Sequence, residues 1–242
     1  MKFDYSKFQL EPQDASRVVD DSSEIQVLTP DSIIIARNFE GLWKQVAGTK
    51  PVRISDKGAY ANPVVTADGK WVVVAKTDDN WGTPNYVVRF NMETGREFRV
   101  NLEPGDNFGP IVFLPLQSKV LLRRVKHEDL MMQKSDPPEY FLLTPGTGET
   151  QVVKGEFAPL LQDGKRFLQA TGKTDEFWAA IPDQEKNQTK VGRYNLKTFS
   201  FTPELTIPHL AFDSTSMWVD EKRSKIYVAY KGQLLSIPLQ TK

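Results

Sequence analysis

The stretch NPVVTADGKWVVVAKT, residues 62–77, is followed by NYVVRFNMETGREFRV, residues 85–100, and together they contain the pattern that predicts the fold. Runs of β-branched and aromatic residues flank an Asp-Gly-Lys turn at 68–70 and a Glu-Thr-Gly turn at 93–95. Glycine adopts a positive φ at such turns without steric cost, and the apolar runs suit half-buried strands. The two stretches therefore predict four consecutive antiparallel strands.

The same unit recurs along the chain. Strand–turn–strand patterns lie at residues 109–125, 157–171 and 210–230, each with a lysine ending its turn, and an earlier unit spans residues 25–55. One four-stranded sheet cannot bury both of its faces, whereas sheets stacked radially cover one another. The repeats therefore predict an all-β chain folded as a β-propeller of about five four-stranded blades.

The predicted blades belong to a single domain, residues 1–242, and the last blade has only three strands of its own. Residues 3–10, FDYSKFQL, alternate apolar and polar side chains, which predicts an edge strand that closes this last blade. A two-sheet sandwich also uses many short strands and remains the alternative architecture. The predicted blades lie near residues 23–58, 59–108, 109–156, 157–208 and 209–240, the last completed by 3–10.

The turn at 68–70 and the Thr-Gly pair at 94–95 resemble the repeats of TolB-like, WD-related β-propellers. Asp-Gly-Lys at 163–165 matches the first part of that repeat, whereas residues 117–119 and 223–225 keep only the lysine. The resemblance covers about residues 60–242 and implies the propeller fold. It also slightly favours a periplasmic or secreted location. It implies no single function, since propellers bind, scaffold and catalyse alike.

Charge and composition exclude several classes of function. The chain has 31 Lys and Arg against 31 Asp and Glu, so no net charge attracts it to nucleic acid. It has no cysteine, which excludes disulfides, thiolate metal sites and cysteine nucleophiles. No apolar window is long enough for a transmembrane helix, and the N-terminal residues lack the apolar core of a signal peptide. The chain is therefore cytoplasmic or a mature fragment without its leader, and its compartment stays open.

Two loops suggest ligand binding. Residues 78–85, DDNWGTPN, and 105–109, GDNFG, combine carboxylates, amides, aromatic rings and glycine. Such groups bind a cation or the hydroxyl face of a sugar, although a turn held by Asx hydrogen bonds explains the same residues. His209 precedes the first strand of the last blade, where a binding or a structural role fits. The candidate ligand-binding residues are Tyr60, Asn62, Asp78, Asp79, Trp81, Asp106, Asn107 and His209.

No catalytic motif accompanies these loops. The chain lacks a phosphate-binding loop, a dinucleotide fingerprint, a nucleophile elbow and a His-Glu-x-x-His zinc motif. The leading hypothesis is a non-enzymatic module that binds a protein or a small ligand, with no cofactor. The alternatives are a sugar- or lactone-directed lyase or hydrolase that uses channel-end carboxylates and a divalent cation, and the regulatory propeller of a larger peptidase. No residue is assigned to catalysis or to a metal, and whether the chain is an enzyme stays open.

Overall fold

The structure is a computed structural model that describes most of the chain from residue 24 onward. Residues 3–10, predicted to close the last blade, lie outside the described part. The described residues are 24–37, 40–77, 86–129, 134–153, 167–183, 185–195, 197–198, 200–208, 217–230 and 233–239.

The chain divides into two units, residues 1–153 and 154–242. The first unit contains three four-stranded sheets and a two-stranded hairpin, and the second contains a four-stranded and a three-stranded sheet within the described residues. All paired strands are antiparallel, and each sheet is built from strands that follow one another along the chain. The predicted fold class is confirmed: the chain is all-β, and its sheets are the blades of a five-bladed β-propeller. The single-domain prediction and its blade limits stay predictions.

Blades 1 to 3 belong to the first unit. Blade 1 contains β1 (Glu24–Thr29), β2 (Ser32–Arg37), β3 (Gly41–Val46) and β4 (Val52–Arg53). Blade 2 contains β5 (Ala59–Val65), β6 (Trp71–Thr77), β7 (Tyr86–Asn91) and β8 (Arg96–Arg99). Blade 3 contains β9 (Asn107–Leu114), β10 (Lys119–Val125), β13 (Glu139–Leu143) and β14 (Thr150–Val152). The hairpin between β10 and β13 contains β11 (Glu128–Asp129) and β12 (Lys134–Ser135).

Blades 4 and 5 belong to the second unit. Blade 4 contains β15 (Phe167–Ala170), β16 (Glu176–Asp183), β17 (Gln188–Asn195) and β18 (Ser200–Pro208). Blade 5 contains β19 (Met217–Asp220), β20 (Lys225–Tyr230) and β21 (Gln233–Pro238). In the described part of the chain, helix is confined to the single 3-10 turn Glu221–Arg223. None of the described segments is a helix long and apolar enough to cross a bilayer.

The Asp-Gly-Lys turn of blade 2 is held by its own side chains. The Thr66 hydroxyl donates to Oδ1 of Asp68 over 2.5 Å, and the same oxygen accepts the backbone N–H of Lys70 over 3.1 Å. Gly69 has a φ of 68°, which the turn requires. The hydrogen bond from Thr66, followed by that from the Lys70 backbone, lowers the pKa of Asp68 despite partial burial. The predicted turn chemistry is therefore present.

Apolar side chains fill the spaces between neighbouring blades within each unit. Ile34, Ala36 and Leu42 of blade 1 pack with Tyr60, Val72, Val74, Tyr86, Val88 and Phe90 of blade 2. Val73 and Val87 of blade 2 pack with Phe108, Val120, Leu122, Phe141 and Leu143 of blade 3. Trp178, Ala180, Val191 and Ile207 of blade 4 pack with Val219, Ile226 and Val228 of blade 5. Each blade thus covers a face of its neighbour, as radial stacking requires.

An Arg-aromatic-Asn triplet ends the third strand of blades 2 and 4. In blade 2, the side-chain oxygen of Asn91 accepts two backbone N–H groups of the following turn, each over 2.9 Å. In blade 4, Asn195 accepts two in the same way, over 2.8 and 3.1 Å. Arg89 and Arg193 each lie over a tryptophan ring of their own blade. The triplet therefore shapes the turn and anchors the strand that precedes it.

Arg89 also joins blade 2 to blade 3. Its guanidinium carbon lies 5.1 Å from the ring centroid of Trp71 and 4.8 Å from that of Phe98. Nη1 of Arg89 donates to the carbonyl oxygens of Pro145 and Gly146, over 2.8 and 2.9 Å. Burial lowers the pKa of Arg89, yet a guanidinium stays charged at neutral pH. One cation thus links the outer part of blade 2 to a turn of its neighbour.

Candidate functional site

The first strand of blade 2 contains a β-bulge at an Asn-Pro pair. Asn62 and Pro63 stand opposite the single residue Val74, because the register of β5 on β6 shifts between Ala61 and Val64. Proline lacks the N–H that a regular ladder needs, so a bulge is one of the few strand positions that accept it. Asn62 has a φ of 53°, a left-handed conformation that asparagine tolerates better than most residues. Its side chain is exposed, whereas Pro63 is buried.

The first strand of blade 3 has a similar irregularity. Its register on β10 shifts beside Pro110, which follows Gly109. The strands β5 and β9 are neighbours, and a β-carbon on Gly109 would lie 3.5 Å from Nδ2 of Asn62 and 3.2 Å from Cβ of Ala75. The missing side chain therefore lets β9 approach the Asn62 amide closely. We call Asn62, Pro63, Gly109 and Pro110 the bulge site.

The bulge site offers hydrogen-bonding groups rather than charges. An asparagine amide contains N–H donors and a carbonyl acceptor, which are complementary to the C=O and N–H groups of a peptide backbone. The adjacent glycine lets β9 pack closely against Ala75 and the Asn62 amide. Bulges occur next to binding sites because they redirect one side chain out of the ladder. The arrangement is suited to holding a peptide segment through its backbone.

Tyr60, a predicted ligand residue, lies in the core between blades 1 and 2. Its side chain is buried, and its hydroxyl donates to Oε2 of Glu97 over 2.8 Å. Nζ of Lys76 donates to the other carboxylate oxygen of Glu97 over 2.6 Å and lies 5.0 Å from the Tyr60 ring centroid. Tyr60 therefore belongs to a hydrogen-bonded cluster with Lys76 and Glu97, and its role in ligand binding stays a prediction.

The cluster changes the proton affinity of two of its members. Burial raises the pKa of Tyr60 above its ordinary value, so the phenol keeps its proton at neutral pH. For Lys76, burial alone would lower the pKa, but the hydrogen bonds and charges of Glu97 and Tyr60 outweigh it and raise the pKa. Both groups therefore stay protonated at physiological pH, which fits a structural role better than proton transfer.

Asn107 is the first residue of β9, the strand that contains Gly109, and Asp106 immediately precedes it. Asp106 is exposed, and its backbone N–H donates to the carbonyl oxygen of Lys126 over 3.2 Å. Asn107 pairs with Val125 of β10. The structure thus brings Asn62 beside the strand that begins at Asn107, directly after Asp106. Four other predicted site residues lie outside the described residues: Asp78, Asp79, Trp81 and His209. Their roles stay predictions.

A buried arginine organises the end of blade 3 that carries Asp106. Arg124 donates from Nε and Nη2 to Oε2 of Glu139, over 2.9 and 2.6 Å, and from Nη1 to the carbonyl oxygen of Glu103 over 2.7 Å. Nζ of Lys126 lies 3.4 Å from the other carboxylate oxygen of Glu139. Partial burial would raise the pKa of Glu139, but Arg124 and Lys126 hold it below its usual range.

Replacing Glu139 with glutamine is expected to make the stability of the protein less dependent on acid pH. Because the pKa of Glu139 is lower in the folded than in the unfolded chain, its carboxylate stabilises the fold above its unfolded pKa, and this contribution is lost as the pH falls through the folded pKa. The difference in free energy of unfolding between wild type and Glu139→Gln should therefore shrink between about pH 6 and pH 3. Urea titrations at several pH values measure it.

Glu185→Gln, in an exposed turn of the second unit, is the matched control for removing one carboxylate and is titrated under the same conditions. A difference between wild type and Glu139→Gln that stays constant across this range would contradict the assignment.

The bulge has a signal in the sequence that the pattern of strands and turns does not include. The pairs Asn-Pro at 62–63, Gly-Pro at 109–110 and Ala-Pro at 158–159 begin the repeated units. A proline at one position of successive first strands is the signal for a bulge. In the described part of the chain, no group of three His, Asp or Glu residues is arranged to hold a metal ion. The divalent cation considered for the 78–85 loop stays a prediction.

Comparison with known proteins supports the fold. No protein-family model and no curated protein sequence matches the chain. Solved structures match the chain. TolB from Acinetobacter baumannii superposes with a TM-score of 0.53 at 13% identity, and the match covers 88% of this chain and 54% of TolB. An oligogalacturonate lyase from Vibrio parahaemolyticus has a TM-score of 0.51 at 14% identity, covering 90% of this chain and 65% of the lyase.

The chain therefore spans less than two thirds of the length of each of these proteins. At such low identity the likeness concerns the fold alone. The predicted resemblance to TolB-like propellers is confirmed at that level.

Proposed function

We propose that this chain is a non-enzymatic interaction module that binds a peptide segment of a protein partner at the bulge site. The observation that carries the proposal is the exposed amide of Asn62, held in the left-handed conformation beside the side-chain-free Gly109. Backbone irregularities of this kind are concentrated at binding and switch sites.

The chemistry of the site favours a peptide over a metal or an acidic sugar. Asn62 and Gly109 are uncharged, so the residues of the site themselves supply no charge that would select an anionic ligand. Two carboxylates of blades 2 and 3 are engaged elsewhere, because Glu139 pairs with Arg124 and Glu97 pairs with Lys76. The primary amide of Asn62 can pair with both the N–H and the C=O groups of an extended peptide.

The test begins with a random-peptide phage library panned on the purified chain. Enriched peptides are synthesised, and their dissociation constants are measured by fluorescence anisotropy. The variant Asn62→Gly removes the amide but keeps a residue that accepts the positive φ. We expect binding to weaken about tenfold, the loss expected when one or two hydrogen bonds to the ligand are removed.

Asn187→Gly is the matched control, because Asn187 also has a positive φ, 46°, and lies in an exposed turn of the second unit. It should bind like wild type. Equal binding of every enriched peptide by Asn62→Gly and wild type would contradict the proposal. Cleavage of oligogalacturonate by the chain with added Mn²⁺ or Ca²⁺, together with no enriched peptide, would favour the lyase hypothesis instead.

A further inference from the structure

The last strand of blade 2, β8, has an open edge. Sheet order makes β8 the outer strand with β7 as its partner, and all four of its residues, Arg96–Arg99, are exposed. Among the fourth strands of the four-stranded blades, β4 and β14 are shorter than β8, and β18 contains two prolines. A row of unpaired N–H and C=O groups on such an edge is a template for a further strand.

The register of β8 shows which backbone groups point outward. The N–H of Val100 donates to the carbonyl oxygen of Val87 over 2.9 Å, so this pair faces β7. Bonding alternates along an antiparallel pair, which means that Phe98 also faces β7, while Glu97 and Arg99 direct their N–H and C=O groups away from the sheet. An added strand would exchange its hydrogen bonds with these two residues.

The side chains of β8 give the edge a positive charge. Glu97 is neutralised by Lys76, whose Nζ lies 2.6 Å from its carboxylate. In the part of the chain that the structure describes, Arg96 and Arg99 form no ion pair, and Arg99 only lies over the Tyr86 ring, 4.2 Å from its centroid. Two uncompensated arginines on one exposed strand therefore select an acidic partner.

Phe98, which lies between the two arginines in the sequence, offers an apolar contact. Its ring lies 6.1 Å from that of Trp71, with the Arg89 guanidinium 4.8 Å away, and it is 37% exposed. A neighbouring strand would cover the exposed part of this ring. Cross-strand pairs of aromatic and β-branched residues stabilise such an arrangement.

From these features we infer that β8 binds an extended acidic peptide by strand addition. Because the peptide runs antiparallel to β8, its first residue pairs with Arg99 and its last with Arg96, and both of these peptide residues are acidic. Between them, a β-branched apolar residue pairs with Phe98 and an uncharged residue pairs with Glu97. The core of the partner segment is thus Glu-Val-Thr-Glu or a sequence of the same chemistry. This surface is separate from the bulge site and does not rest on the function proposed for it.

The probe is a fluorescent peptide with a Glu-Val-Thr-Glu core, compared by anisotropy with a peptide that has lysine in place of both glutamates. We expect saturable binding of the acidic peptide, with at least about fivefold weaker binding of the lysine peptide and a loss of affinity as salt is added. In the double variant R96E/R99E the preference should reverse. Equal binding of both peptides to wild type would overturn the inference.

Arg99→Pro tests strand addition directly. It removes an outward N–H without breaking a bond to β7, and proline is accepted on an edge strand whose N–H faces solvent. We expect about tenfold weaker binding than to Arg99→Gln, which loses the charge but keeps the N–H. Circular dichroism melts verify that both variants are folded. Equal binding by the two variants would exclude strand addition, whereas Asn62→Gly should leave this peptide's affinity unchanged.

Discussion

Replacing Trp178 with alanine is expected to lower the free energy of unfolding by about 3–5 kcal/mol, the range for removing a large aromatic side chain from a core. Trp178 is fully buried between blades 4 and 5, where Val191, Ile207 and Ile226 surround it. Its Nε1 donates to Oε1 of Glu221 over 2.9 Å, so the variant leaves a cavity and also breaks a link between the blades. Urea unfolding followed by circular dichroism measures the effect.

Trp71→Ala is the matched comparison, because Trp71 also lies under an arginine but is only half-buried. The decrease in the free energy of unfolding for Trp71→Ala should be about half as large, because Trp71 buries less apolar surface on folding. Trp178→Phe keeps most of the buried area and should lose about 1–2 kcal/mol through the missing hydrogen bond. Equal losses for Trp71→Ala and Trp178→Ala would show that the burial of Trp178 does not stabilise the contact between blades 4 and 5.

Replacing Gly192 with alanine is expected to destabilise the protein by about 3 kcal/mol, at the upper end of the range for overpacking. Gly192 lies in β17 at a register shift on β18. A β-carbon there would overlap the carbonyl oxygen of Thr202 and lie 2.7 Å from Cα of Pro203. Both are backbone atoms that cannot rotate away, so the two strands must separate.

Gly146→Ala is the control, because a β-carbon on Gly146 would meet no atom within 4 Å. Its effect should stay within about 0.5 kcal/mol of wild type, as for most surface substitutions. Thermal melts of the two variants under identical conditions compare them. A Gly192→Ala variant as stable as Gly146→Ala would show that β18 moves aside without loss, contrary to the close packing seen here.

The fold could be predicted because its signals are local. The Asp-Gly-Lys turn at 68–70 and the Thr-Gly pair at 94–95 each fix a hairpin within a few residues, and glycine at 69 and 95 has the positive φ that the turns need. Counting such hairpins predicted the blades. Residues 223–225 depart from the pattern, yet they still form a turn, because Ser224 adopts the left-handed conformation in place of glycine.

The candidate site could be predicted only in part, because a bulge changes which side chains face outward. A strict alternation treats Tyr60 and Asn62 as equivalent positions on one face. The extra residue at Asn62-Pro63 breaks that equivalence, so Tyr60 packs inward while Asn62 is exposed. Similarly, no sequence pattern reveals that Arg89 reaches Pro145, since the contact depends on how two blades pack.

The pairing of each strand with its neighbour along the chain also has a kinetic consequence. Most ladders close across a short turn, so forming a blade requires little loop-closure entropy. The exceptions are the ladder between β6 and β7, whose strands are separated by residues 78–85, and the ladder between β10 and β13, whose strands are separated by residues 126–138. We therefore expect the β5–β6 and β7–β8 hairpins of blade 2 to form early during folding, and the packing of one completed sheet against the next to be a later and slower step.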